Sequence, residues 1–274
     1  MTSFSLLLFS IDPKFINQAV DAGVEGILVD WENIGKEERQ AFADTQINTD
    51  TLEDLRRVRA STHATVLCRI NRFGETTQLE VEQAVSAGAD ELLLPMVRTA
   101  NEVESVLDMV GDRCKVGILV ETISAIDAIE HLSQLPLSRI YVGLMDLAIE
   151  RKTKNIFSAV ADGTVESIRQ SVKCKFGFGG LTLPDQGYPI PCRLLISEME
   201  RLRCDFSFLR RSFHRDIHGR DPAIEIPRLL QALRQAKNRS AEEVAQEHTD
   251  LIEVIQNLGG DSLPSPKNYG RVAG

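Results

Sequence analysis

Ala19-Val-Asp-Ala-Gly-Val-Glu-Gly-Ile-Leu-Val-Asp30 returns 65 residues later as Ala84-Val-Ser-Ala-Gly-Ala-Asp-Glu-Leu-Leu-Leu-Pro95. In both copies a helical end passes through a glycine (Gly23, Gly88) into a short apolar run, the way a helix hands over to a buried strand. The offset equals about two strand–helix units of roughly thirty residues each. Working outward from the two copies, eight strand candidates appear: Phe4–Phe9, Glu25–Asp30, Ala64–Ile70, Glu91–Leu94, Lys115–Glu121, Arg139–Val142, Phe176–Leu181 and Asp205–Leu209. Each is Leu-rich or β-branched and almost continuously apolar, as parallel strands covered on both faces must be. Amphipathic stretches alternate with them, and Thr99-Ala-Asn-Glu102 and Ser240-Ala-Glu-Glu243 match the capping box. No Gly-x-Gly-x-x-Gly follows the first strand, which argues against an open dinucleotide-binding sheet. The fold expected is α/β: a single (β/α)8 TIM barrel over residues 1–220, with extra C-terminal helices.

Two polar amphipathic helices, Ala223–Lys237 and Ala241–Leu258, account for residues 221–258 and are expected to serve contacts in a homo-oligomer. A Gly-, Pro-, Ser- and Asn-rich stretch from Gly259 to Gly274 reads as a flexible tail. The 274 residues suit one such barrel, which typically takes roughly 250. With 31 basic against 40 acidic residues the net charge is −9, the wrong sign for a general nucleic-acid binder. No apolar run approaches the roughly 18 residues that a membrane helix needs. The opening Met-Thr-Ser-Phe-Ser-Leu-Leu-Leu-Phe-Ser lacks a positive start and is followed by Asp12 and Pro13, so it reads as a strand and not a signal peptide. Five scattered cysteines with no Cys-x-x-Cys pair are expected as buried, reduced thiols in a cytoplasmic protein.

In a parallel barrel the chemistry sits at the carboxyl ends of the strands. Those ends read Asp30-Trp31-Glu32-Asn33, Arg69-Ile70-Asn71-Arg72, Pro95-Met96, Glu121-Thr122, Gly143-Leu144-Met145-Asp146 and Arg210-Arg211-Ser212. Glu121 and Asp146 follow neighbouring strands and are expected at one mouth, where two unpaired carboxylates would repel and raise one pKa. Either a hard divalent cation or salt bridges to Arg69 or Lys115 would resolve that conflict. Arg69 suits an anionic substrate, its planar fork gripping a carboxylate, or else a structural ion pair with Glu32 or Glu121. Asp30 and Glu32 are expected on opposite sides, with Glu32 at the tip orienting arginine or water and Asp30 closing a buried hydrogen bond. The run Arg210–Arg220 holds four arginines and two histidines, the one basic cluster on an acidic chain. It reads as a solvated face, a subunit contact or, with Gly177-Phe-Gly-Gly180 before it, a phosphate site. His214 is the histidine placed nearest the mouth, whereas His63, His131 and His248 fall in or beside helices. No Gly-x-Ser-x-Gly elbow and no strand-end lysine supports nucleophilic catalysis, Lys36 lying in a polar loop.

Val29-Asp-Trp-Glu32, Cys68-Arg-Ile-Asn71, Leu94-Pro-Met-Val97, Ile118-Leu-Val-Glu-Thr122 and Gly143-Leu-Met-Asp-Leu147 stand in the order found in the HpcH/HpaI aldolase and citrate lyase β-subunit family, which the chain resembles over roughly residues 1–220. The resemblance implies a TIM barrel that binds Mg²⁺, or Mn²⁺ or Co²⁺, and makes or breaks a carbon–carbon bond beside a pyruvate- or acetate-like enolate. It implies Glu121 and Asp146 as metal ligands and Arg69 as the arginine that binds substrate and stabilises the enolate. Gly143, Leu144 and Met145 correspond to the turn whose backbone amides meet a substrate carboxylate beside Asp146. Three positions depart from the family's pattern. Asn33 stands where the aldolase branch has a histidine base, Leu119 where it has glutamine, and Met96 where the lyase branch usually has lysine. Asn33 cannot take a proton, so Glu32, a metal-bound hydroxide or His214 would have to serve.

The expected activity is therefore a divalent-metal-dependent, aldolase-type carbon–carbon lyase acting on a 2-keto-hydroxy acid or hydroxyacyl thioester, with Arg69 and Glu32 in the catalytic roles. The alternatives are an acyl-CoA thioesterase or decarboxylase on the same site, or a non-catalytic ligand-binding barrel. The expected partner is a small anionic keto acid or acyl-CoA, with no nucleic acid or membrane, in a homo-oligomer (a trimer or hexamer by the resemblance).

Overall fold

Among the described residues nine parallel strands form one sheet whose two ends meet. In the computed structural model, which describes residues 4–34 and 50–258, the strands are β1 (Ser5–Phe9), β2 (Gly26–Asp30), β3 (Thr65–Arg69), β4 (Glu91–Leu94), β5 (Lys115–Val120), β6 (Arg139–Val142), β7 (Lys175–Phe178), β8 (Gly180–Leu181) and β9 (Phe206–Leu209). Their order is β7-β6-β5-β4-β3-β2-β1-β9-β8. β7 and β8 are halves of one stave, parted by Gly179 at φ +57°. The lower half pairs with β6 and the upper half with β9. At the base Asp205 donates its amide to the Phe176 carbonyl (2.8 Å), which closes the ring. Every predicted strand is present, and the fold is the predicted parallel barrel wrapped by helices.

Among the described residues the helices are α1 (Pro13–Asp21), α2 (Leu52–Ser61), α3 (Thr77–Ser86), α4 (Ala100–Val110), α5 (Ile123–Asp127), α6 (Ile129–Leu132), α7 (Leu144–Glu150), α8 (Ser158–Ala161), α9 (Thr164–Ser171), α10 (Cys192–Arg201), α11 (Arg211–Asp216), α12 (Pro222–Ala236) and α13 (Ala241–Asn257). Gly23 and Gly88 follow α1 and α3, as the internal repeat requires. The capping box at Ser240 forms in both directions. The one expected at Thr99 forms by half: Thr99 Oγ1 accepts from Glu102 N, but the Glu102 carboxylate takes the amide of Arg98 (2.8 Å) instead of that of Thr99. A complete box starts α2, with Asp54 as the shorter partner of Thr51.

Period-two alternation splits the strands between two apolar regions. Inward Leu7, Leu28, Leu67, Leu93 and Leu119 pack with Tyr141, Phe206 and Phe208 to fill the barrel. The outward positions, such as Leu6, Ile27, Val66 and Leu92, meet the helices in a second, larger core. Below the inner layer the barrel is sealed by charge. Arg139 grips Glu91 in two 2.6 Å hydrogen bonds while its guanidinium lies over the Phe206 ring. α12 buries Ile226, Leu229 and Leu233 between α1 and α10. α13 packs outside, on α10 and α8, with His248 Nδ1 2.9 Å from Glu198 Oε2. Cys68, Cys192 and Cys204 are buried, Cys114 and Cys174 are partly exposed, and all five are free. No helix among the described residues is long and apolar enough to cross a membrane. Lys36 and the tail expected from Gly259 lie outside the described residues.

Candidate active site

Strand register builds the first part of the site. β2 and β3 align Asp30 with Arg69, and the side chains meet in a two-pronged pair, Nε to Oδ1 at 2.8 Å and Nη2 to Oδ2 at 2.7 Å. Glu32 approaches the third nitrogen, its Oε2 lying 3.3 Å from Nη1. Asp30 and Glu32 thus serve the same guanidinium, contrary to the expectation that they face opposite sides. Residues two apart in an extended segment share a face, and the pair obeys that rule. All three side chains are buried. Burial works against the charge on Arg69, yet Asp30 and then Glu32 hold it well above its ordinary range. Phe9 covers one flat side, with its ring centre 5.4 Å from the guanidinium carbon.

The loop after β2 is held from β3. Asn71 Oδ1 accepts the amides of Asn33 (2.9 Å) and Ile34 (2.8 Å), and Asn71 is itself fixed by its amide and Nδ2 donating to Glu80. Asn33 is exposed.

Glu121 follows β5, and Asp146 sits in the first turn of α7; both are buried. Oε2 of Glu121 accepts the amide of Met96 at 3.1 Å, an amide aimed there by a left-handed backbone (φ +53°) that a non-glycine residue adopts at a cost. On its other side Glu121 occupies the space a side chain at Gly143 would need. Burial first, then Asp146 and Glu32, push the Glu121 carboxyl up to about 8, with Arg69 opposing. Among the described residues Glu121 makes no ion pair within 4 Å. Lys115, one of its two expected partners, starts β5 at the opposite end of the barrel, while Arg69 is engaged by Asp30 and Glu32. No group of three or more His, Cys, Asp and Glu in metal-binding geometry occurs among the described residues. Two crowded, buried carboxylates fit a hard divalent cation whose remaining positions go to substrate and water.

A cavity of about 400 Å³ joins these parts. Arg69, Glu121, Gly143, Leu144, Met145 and Asp146 all line it, so one space gathers six of the seven residues singled out from sequence. Glu32 is the exception and stands behind Arg69. Gly143 already gives its amide to Val120 O (3.1 Å), and the amides of Leu144 and Met145 stand in the first turn of α7, where helical N–H groups have no intrahelical acceptor. His214 turns away: its Nε2 lies 2.8 Å from Phe9 O, and the ring lines a neighbouring cavity. His248 is committed to Glu198. Leu119, Tyr141, Phe9 and Phe208 supply an apolar floor that was not assigned to the site from sequence. Their inward, period-two positions near the strand ends are the signal that would have found them.

The fold and the cavity define a class, a parallel α/β barrel with a charged pocket at the carboxyl ends of its strands. Residues 4–159 match the HpcH/HpaI aldolase/citrate lyase family, and the chain belongs to that family of aldolase- and citrate lyase-like enzymes. No curated protein matches the chain.

Proposed function

We propose that this chain is a divalent-metal-dependent carbon–carbon lyase that acts through a pyruvate- or acetate-like enolate on a 2-keto-hydroxy acid or a hydroxyacyl thioester. The observation that carries this reading is the convergence of Glu121, Asp146 and Arg69 on one cavity in a member of this family. Mg²⁺, or Mn²⁺ or Co²⁺, held by Glu121 and Asp146 would supply a Lewis acid for the substrate's oxygens. Arg69 has five N–H donors; Asp30 takes two and Glu32 faces a third, which leaves two for the C2 oxygen that gains charge as the C3–C4 bond breaks. The electron pair of that bond moves towards C2 while the C4 hydroxyl becomes a carbonyl and gives its proton to water, the enolate then taking a proton from water at C3. Donors fixed beforehand in a buried site stabilise such charge without reorganisation. Leu144 and Met145 offer their amides to the substrate carboxylate. Glu32 acts as a positioning residue through Arg69.

A second reading on the same site is decarboxylation of a 2-keto-4-carboxylate, in which loss of CO₂ forms the enolate and no hydroxyl proton has to be removed. It is favoured by the exposure of Asn33 and by the absence of histidine from the cavity lining among the described residues. A homo-oligomer, trimer or hexamer, belongs to the proposal, with the outward faces of α12 and α13 as the contact; Ile224 is exposed there. So does a cytoplasmic location, in keeping with five free cysteines.

The test is pyruvate release from oxaloacetate and from 4-hydroxy-2-keto acids, with Mg²⁺, Mn²⁺, Co²⁺ or chelator, beside Glu121→Ala and Arg69→Ala. Metal-dependent turnover lost in both variants is the expected result. Binding of metal and pyruvate with no turnover would overturn the lyase, and release of free coenzyme A from acyl-CoA would identify a thioesterase instead.

A further inference from the structure

The basic run Arg210–Arg220 divides into two sets. Arg215 pairs with Asp216 (2.9 Å), Arg220 with Asp185 (3.0 Å) and His214 with the Phe9 carbonyl, all at the surface. Arg210, Arg211 and Ser212 instead line the cavity that holds Glu121 and Arg69. Among the described residues neither Arg210 nor Arg211 makes an ion pair or a side-chain hydrogen bond. Nε of Arg210 and Oγ of Ser212 are both buried and have no hydrogen-bond partner among the described residues. The nearby carboxylate of Asp216 does not answer Arg210, since it accepts from Thr182 Oγ1 (2.6 Å) and from Arg215. Arg210 is also built in: a Cβ at Gly180 would lie 2.8 Å from Arg210 Cβ, so glycine at 180 is what lets this stem pass. Arg210 is half-buried, and burial lowers its pKa, whereas Arg211 is exposed at the rim.

A desolvated cation with no counterion is costly unless an anion completes it. In Arg69 the protein shows the completed form, with Asp30 and Glu32 around the fork, whereas Arg210 lines the substrate cavity with no carboxylate on its side chain among the described residues. We infer that Arg210, Arg211 and Ser212 form a second anion subsite, so that the substrate carries a carboxylate or phosphate at the end remote from its enolate-forming part, an inference that rests on the enolate reading above. Planar guanidinium and hydroxyl donors serve either oxyanion.

Calorimetric titration of the full-length protein with Mg²⁺ tests this. The ligands are 2-oxobutyrate, with one anionic end, and two with a second: 2-oxoglutarate (carboxylate) and phosphonopyruvate (phosphonate). At least one of the latter two is expected to bind tenfold or more tightly than 2-oxobutyrate, and which one identifies the oxyanion. Arg210→Gln and Ser212→Ala are expected to shrink that ratio, Arg210→Gln by on the order of tenfold, with Arg210→Lys recovering part of it through charge alone. Equal affinities for all three ligands in the wild type, or a ratio unchanged in folded Arg210→Gln, would overturn the subsite. The lyase reading is judged separately by pyruvate release: turnover without the preference sinks only the subsite, and the preference without turnover sinks only the lyase.

Discussion

Gly143 leaves room for Glu121. An ideal Cβ at position 143 would lie 2.6 Å from Cγ and 2.8 Å from Cδ of the glutamate, so the side chain at the end of β5 depends on the absence of one after β6. Gly143→Ala is therefore expected to displace the Glu121 carboxyl, weakening divalent-metal binding by tenfold or more, and to cost about 1–3 kcal/mol through overpacking. Metal titration and denaturant unfolding on the same preparation read both effects. Wild-type metal affinity in the variant would show that Glu121 does not hold the ion.

Asp30 and Glu32 both reach Arg69, but unequally. Asp30→Asn removes a two-pronged buried contact and is expected to cost about 3 kcal/mol, since it strands a cation. Glu32→Gln gives up one 3.3 Å approach and should cost about 1 kcal/mol. Urea unfolding ranks the two, and the reverse order would return the leading role to Glu32.

The raised carboxyl of Glu121 has a signed consequence. Its folded value, about 8, stands above the ordinary 4.5, so the fold favours the protonated form. Without metal, that contribution is whole below about pH 4.5 and is lost as the pH climbs through about 8. In chelator, the melting temperature should fall between about pH 5 and about pH 9, and Glu121→Gln should flatten the curve. Divalent metal should bind more tightly towards alkaline pH, because the ligand must lose its proton. Parallel profiles for wild type and variant would refute the shift.

At the far end of the barrel, Arg139→Met should destabilise by about 3–5 kcal/mol by leaving Glu91 buried and unpaired. Pairing it with Glu91→Leu should recover most of that loss. Turnover per folded molecule should stay at the wild-type level in both, because this end serves stability and not the site. A lower kcat in the double variant would contradict the division.

The strands were legible because buried parallel strands must be apolar on both faces, which leaves runs such as Ile27–Val29 and Leu92–Leu94 that no surface helix can imitate. The mouth was legible because charge placed just beyond such a run has few structural uses. What escaped the sequence was pairing between strands. Asp30 reads as an ordinary strand residue until register sets it beside Arg69. The basic run 210–220 reads as one cluster until the structure sets Arg210, ahead of α11, in the wall of the cavity and Arg215 at the surface on Asp216. Neither distinction is local, so no window of sequence contains it.

The split stave has a consequence for what the barrel can admit. Up to Val142 and Phe178, the sixth and seventh staves are bonded edge to edge, but above Gly179 the chain leans to β9 while the other edge turns away into α7. Gly143–Met145 and Gly179–Gly180 both stand in the cavity wall at that divergence, joined by the Gly179 amide on Val142 O (3.3 Å), with the Leu144 side chain lying against Gly179. The wall here is closed by the Leu144 side chain and not by a continuing strand ladder. A change of side chain at position 144 would therefore reshape the cavity without breaking a single strand pair.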